Sequence, residues 1–173
     1  MIESPYGKYV EGKDTVKCLE ETSRLIEAAV RGWSSAEFER SYAPGKWSAR
    51  QLLVHLAHFE MVCATRLRFA LASDDYVVRS YDQDGWMGIE PHATAAAALA
   101  AYLVIRRMNL ALCRTLTPEQ RARPVTHPEY GRIDVEWMMT TLAGHERHHL
   151  PQFEQVGRSK FEVSDLRTSN LRK

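Results

Sequence analysis

Helical periodicity runs through four long segments of this chain, and histidines are set into the apolar faces of two of them. The clearest start signal is Trp47-Ser48-Ala49-Arg50-Gln51-Leu52. Ser48 and Gln51 fit a capping box, and Trp47 and Leu52 stand where a hydrophobic staple fixes the entry of the chain. A helix is therefore expected from Ala49 to about Ala72, with Leu52, Leu56, Phe59, Val62, Cys63 and Ala70 on one broad face. At about 100° per residue His55 falls inside that face and His58 at its edge. A second such face reads Met138, Leu142, His145, His149, Phe153 and Val156, on a helix capped by Asp134 and closed by Gly157. Two further helices complete the set. One follows Asp14 with Val16, Leu19, Ile26 and Val30 inward and stops at Gly32; the other runs from about Ala93 to Leu116, with an extra turn at Thr117-Pro118-Glu119-Gln120.

Between the second and third helices, Ser73 to His92 is broken by aspartates, glycines and Pro91, while Tyr76, Tyr81 and Trp86 argue for a packed loop. His127-Pro128 and Gly131 mark a turn-rich loop, and no strand pattern stands out. The expected fold is all-α: a four-helix bundle with a long ordered loop between helices two and three. One domain over residues 1–173 suffices, with a core of about residues 14–156 and a polar tail over 157–173 that frays. A net charge of +1 with interspersed signs argues against nucleic-acid and anionic-membrane partners. Cys18, Cys63 and Cys113 lack CxxC spacing and lie in apolar helical patterns, which suits a reducing cytoplasm. The N-terminus has no signal-peptide pattern, and the apolar run Ala95–Ile105 is too short to span a bilayer. A cytoplasmic protein is expected.

The histidines carry the chemistry. His145 and His149 are one helical turn apart on the same face, and His55 faces the core from another helix. A lone core histidine is usually bonded to a carbonyl. Three core-facing imidazoles without carboxylates at matching spacing need something to satisfy their ring nitrogens, and one shared divalent ion does so. Three protein ligands leave a fourth position for water or substrate, the pattern of a catalytic site. His145-Glu146-Arg147-His148-His149 also reads as HExxH, in which the glutamate serves a zinc protease as general base. The rest of that pattern is missing: Gln152 and Gln155 stand where the extended form has glycine and histidine.

Trp47-Ser48-Ala49-Arg50-Gln51-Leu52-Leu53-Val54-His55-Leu56-Ala57, Arg66 to Ala72, Ser80 to Trp86, and His145-Glu146-Arg147-His148-His149-Leu150 together resemble the YfiT branch of the DinB-like superfamily, over roughly Asp14 to Val156. The resemblance implies a four-helix bundle with a three-histidine metal site at His55, His145 and His149. It also implies a metal-dependent hydrolase, or a transferase or isomerase using a low-molecular-weight thiol. Pro151 departs from the pattern and predicts a kink one turn past His149.

Three neutral imidazoles leave the charge of an ion uncompensated, so the open position favours an anionic nucleophile, which fits both hydrolysis and thiol transfer. Zinc or nickel leads as the metal, although imidazole also accepts iron and cobalt. Asp82 and Glu146 are the candidate acid/base or supporting carboxylates, the alternative for each being a solvated surface group. Tyr81 and Trp86 are candidates for the pocket mouth, the alternative being loop packing. The expected partners are a small-molecule substrate, with a low-molecular-weight thiol among the choices, and a second copy in a homodimer. The competing reading is a non-catalytic bundle, a metal-stapled or stress-response accessory protein.

Overall fold

The computed structural model describes residues 2–170, with side chains through Arg158. Its elements are α1 (Thr15–Ala29), α2 (Ser35–Phe38), α3 (Ala49–Ala72), α4 (Gln83–Ile89), α5 (Ala95–Thr115), α6 (Pro118–Arg121), β1 (Pro124–His127), β2 (Gly131–Asp134) and α7 (Val135–Asn170). α1, α3, α5 and α7 form a four-helix bundle in which α3 packs on both α5 and α7, and α1 on α7 and α5. The long helices begin where local hydrogen bonds satisfy their first N–H groups. Asp14 accepts from Lys17, Thr94 from Ala97 and Asp134 from Trp137, while Ser48 and Gln51 close the reciprocal box ahead of α3.

The bundle interior falls into two apolar clusters. One gathers Leu19, Leu67, Leu110, Met139 and Leu142. The other gathers Ile26, Leu52, Leu56, Tyr102 and Phe153. Between them, at one height on three helices, lie Glu60, Arg106 and Glu146, all buried.

Several expectations change on folding. The segment from Ser73 to His92 is ordered but contains α4, started by the Asp82 side chain accepting from Gly85 N–H. Ahead of α4, Val78 donates to the carbonyl of Thr126 at 2.8 Å, and Thr126 donates to that of Tyr76 at 3.1 Å, which ties this segment to β1. The turn-rich loop around His127-Pro128 is an antiparallel hairpin pairing Val125 with Ile133 and His127 with Gly131. Strands of four residues are too short for their alternation to stand out, and Gly131 supplies the left-handed turn residue at φ 68°. Gly157 does not close α7; the helix passes through it and continues to Asn170 where a fraying tail was expected. Gly157 lies against the Trp33 ring, where a Cβ would make an ordinary contact at 3.5 Å. α7 also runs on through Pro151. Finally, α5 outlasts the apolar run Ala95–Ile105 and, by length and composition alone, could cross a membrane. Here it packs against α3 and carries the buried Arg106.

Candidate metal centre

His55 sits on the second turn of α3, and His145 and His149 face it from α7. Nε2 of His55 is 2.9 Å from Nε2 of His145, which is 3.2 Å from Nε2 of His149. All three ligand atoms lie within 4.8 Å of one another, and the side chains are 2%, 3% and 8% exposed. Among the described residues this is the one group of its kind. A tetrahedral ion about 2.0–2.1 Å from each nitrogen would set ligand atoms roughly 3.3 Å apart, so the observed spacing fits.

The protonation states fit as well. Burial, reinforced by the neighbouring histidines, pushes His55 down to about 3. Burial likewise lowers His149 to about 4 and holds His145 well below the usual histidine value. All three are therefore neutral near pH 7, with lone pairs available. Nδ1 of His149 is 2.7 Å from the Gln152 side-chain oxygen, which places its proton there and leaves Nε2 as an acceptor. Nδ1 of His55 and of His145 meets no hydrogen-bond partner among the described residues. Pro151 leaves these contacts intact, so the expected disturbance does not separate His149 from His145.

Aromatic side chains wall the triad. Trp47 lies 4.9 Å from His55, Phe59 4.0 Å from His145, and Tyr6 stands edge-on to His145 at 5.1 Å, centroid to centroid. Tyr6 belongs to an N-terminal segment laid along α7, where Ser4 bonds Thr141 and the Tyr9 hydroxyl bonds Nδ1 of His148, both at 2.8 Å. Gly144 permits this approach, since a Cβ there would stand 2.2 Å from the Tyr6 carbonyl oxygen.

The other predicted residues are placed differently. Glu146 is no solvated carboxylate: it is buried, paired with Arg106, and accepts from the Tyr102 hydroxyl at 3.1 Å. Asp82 is exposed and caps α4, and among the described residues its hydrogen bond goes to Gly85 rather than to the triad. Tyr81 packs at 6.3 Å from Phe59 and 5.2 Å from Trp86, whose ring lies 5.3 Å from His58. His58 is fully buried rather than at an edge, with Nε2 3.2 Å from a Glu90 oxygen. Burial pushes the thiols of Cys63 and Cys113 up, the latter to about 11, so neither serves as a thiolate nucleophile.

Sequence reasoning missed the charged layer beneath the triad. Arg106 pairs with both Glu60 and Glu146 and donates to the Leu19 carbonyl at 2.9 Å, while Asn109 donates to Glu60 at 2.8 Å. The available signal was a glutamate inside the stripe Leu56, Cys63, Leu67 and an arginine inside the stripe Tyr102, Leu110, Cys113. Also missed was the aromatic and basic cavity beside Phe59, lined by Arg66, His127 and Trp137. The roomier cavity, about 730 Å³ between α2 and the start of α5, holds no member of the triad.

Comparison with known proteins agrees with this architecture. YfiT of Bacillus subtilis, named "Putative metal-dependent hydrolase YfiT", is 28% identical over 165 residues, covering 89% of this chain and 93% of that protein. "Putative metal-dependent hydrolase OB0782" of Oceanobacillus iheyensis is 27% identical over 143 residues, covering 82% and 83%. The solved structure of Bacillus subtilis YfiT, described as having an unusual four-helix bundle topology, superposes with a TM-score of 0.77 at 26% identity, over 84% of this chain and 85% of that one. The DinB superfamily pattern itself matches residues 19–153, from α1 through both histidines of α7, and the chain belongs to that superfamily.

Proposed function

We propose that this chain is a metal-dependent hydrolase of a small-molecule substrate, with a single divalent ion held by His55, His145 and His149. The observation that carries the reading is the convergence of three buried, neutral Nε2 atoms from two helices onto one point. The names of its relatives support the same class of activity. Bound there, the ion supplies Lewis acidity to electrophile and nucleophile alike. The chain does the rest. Gln152 holds the Nδ1 proton of His149 and so keeps its Nε2 lone pair turned to His145. Trp47, Phe59 and Tyr6 exclude bulk water from the imidazoles, which strengthens electrostatic interactions in the site.

Glu146 is not the general base in this reading, because Arg106 and Tyr102 occupy its oxygens. Transfer of a low-molecular-weight thiol is the second reading. Three neutral donors favour an anionic fourth ligand, and with the chain's own described thiols buried, the thiol would arrive as a substrate. Zinc and nickel suit the donors equally.

The test is metal analysis of protein purified without added metal or a histidine tag, followed by ester and thiol substrates. One ion per chain is expected, lost in His55→Ala, His145→Ala and His149→Ala and kept in His58→Ala and His148→Ala. Metal retained at the wild-type level in His55→Ala would sink the cross-helix centre. A stoichiometric ion without turnover on any of these substrates would favour a non-catalytic staple.

A further inference from the structure

Beside the triad lies a cavity of about 130 Å³. Phe59 and Tyr6 belong to both, since each lines the cavity and each packs on the ring of His145. The two ligand helices extend the same wall. Phe59 and Arg66 follow His55 along α3, while Thr141 and Trp137 precede His145 on α7 by one and two helical turns, so both helices step from the triad into this cavity.

Its polar lining is rich in donors. The indole N–H of Trp137, a residue only 9% exposed, and the hydroxyl of Tyr81 are buried without a hydrogen-bond partner among the described residues. Nδ1 of His127 accepts from the backbone N–H groups of Glu129 at 3.1 Å and Tyr130 at 3.4 Å, so its proton sits on Nε2 as a further donor. Arg66 spends one nitrogen on the Arg79 carbonyl at 2.7 Å and makes no other hydrogen bond or ion pair among the described residues. The one carboxylate on the lining, Glu129, is exposed. Buried donors are rarely left unpaired, and a set of donors beside a guanidinium matches an acceptor-only, negatively charged group.

We propose that this cavity anchors a carboxylate of the substrate, gripped by Arg66, Trp137, His127 and Tyr81, and thereby presents the rest of the molecule to the histidine triad. The inference rests on the metal-enzyme reading above. Size decides what enters. At roughly 30 Å³ per water the space equals about four waters, enough for a carboxylate on a short stem and far below a whole drug-sized ligand. The aromatic rings of Tyr6, Phe59 and Tyr130 favour an apolar, flat stem.

Isothermal titration of the full-length, metal-containing protein with benzoate, benzamide and phenyl phosphate tests this. Benzoate should bind at least about 10-fold more tightly than benzamide, and Arg66→Met and Trp137→Phe should each weaken it by about 10-fold, with metal content unchanged as the control for folding. Equal benzoate affinity in wild type and Arg66→Met, or no preference over benzamide, overturns the proposal. Tighter binding of phenyl phosphate overturns the carboxylate assignment. Loss of benzoate binding on stripping the metal, with the fold intact by circular dichroism, would put the anion on the ion instead. Benzoate binding that persists in a protein taking up no metal would count against the metal centre and leave the anion cavity standing.

Discussion

Arg106 on α5 and Glu146 on α7 form an ion pair in the middle of the bundle, each 1% exposed, and Glu146 immediately follows the triad residue His145. The same guanidinium pairs with Glu60 on α3. Two carboxylates against one cation leave an excess negative charge in a dry interior. Burial, and Glu60 beside it, push the Glu146 carboxyl well above the usual range, against the opposing pull of the Arg106 guanidinium. The layer thus joins both ligand-bearing helices through α5.

Removing the cation should be costly. Arg106→Met strands Glu60 and Glu146 beneath the triad, and urea unfolding should show a loss of about 3–5 kcal/mol. Adding Glu60→Gln and Glu146→Gln should recover much of it. A single variant as stable as wild type would mean that the pair carries no net weight in the folded state.

Glu146→Gln separates the cross-helix centre from an HExxH protease. Metal content should stay at the wild-type level, and turnover on whichever substrate proves active should fall by no more than about 10 to 100-fold, the range for a residue that supports a ligand indirectly. Abolished turnover with metal in place would instead make the carboxylate the base, as in the protease mechanism.

Gly144→Ala tests the approach of the N-terminal segment to α7. The added methyl would collide with the Tyr6 carbonyl, where backbone rather than a flexible side chain must move. A stability loss of about 1–3 kcal/mol is expected. Hydrogen exchange should rise across residues 4–9 while the core of α3 keeps its protection. Unchanged exchange in that segment would show that it is not held by this contact.

The histidines give the metal-free protein a pH signature. Folding lowers His55 from its ordinary 6.5 to about 3 and His149 to about 4. Below pH 6.5 the unfolded chain takes up protons that the folded chain refuses, so stability is full above that value and falls as pH drops towards 4 and 3. Urea midpoints of the metal-free protein should decline steadily from pH 7 to 5, and His55→Leu should flatten the decline. A flat profile in wild type would contradict the burial of neutral imidazoles.

What the sequence revealed was local. The box at Ser48 and Gln51 and the one-turn spacing of His145 and His149 involve residues within one helical turn, so the start of α3 and half of the triad follow from stereochemistry alone. His55 was legible because it falls inside an unbroken apolar face. Glu60 and Arg106 were not, because only the packing of α3 against α5 and α7 brings them to one height. α4 contains Gly85 and Gly88 and has little intrinsic helix preference; the Asp82 cap and the contacts of Trp86 with His58 and Tyr81 accompany it. His127 and Trp137 lie near a turn and at a helix start, and nothing in their neighbours signals that the fold brings them beside Arg66.

The strap that runs from Ser4 to Tyr9 also sets an order of events in time. Its bonds to Thr141 and His148 join positions 137 and 139 residues apart, and His55 meets His145 across 90. During synthesis, this segment leaves the ribosome ahead of α1 and waits for nearly the last of the described core before it has anything to grip. Contacts of such separation form late, after the hairpins and helices that need only their neighbours. A nascent chain cut short before His145 can build much of α1, α3 and α5 and so place His55, but it lacks the other two ligands, and Tyr6 and Tyr9 have no α7 to pack against until that helix arrives.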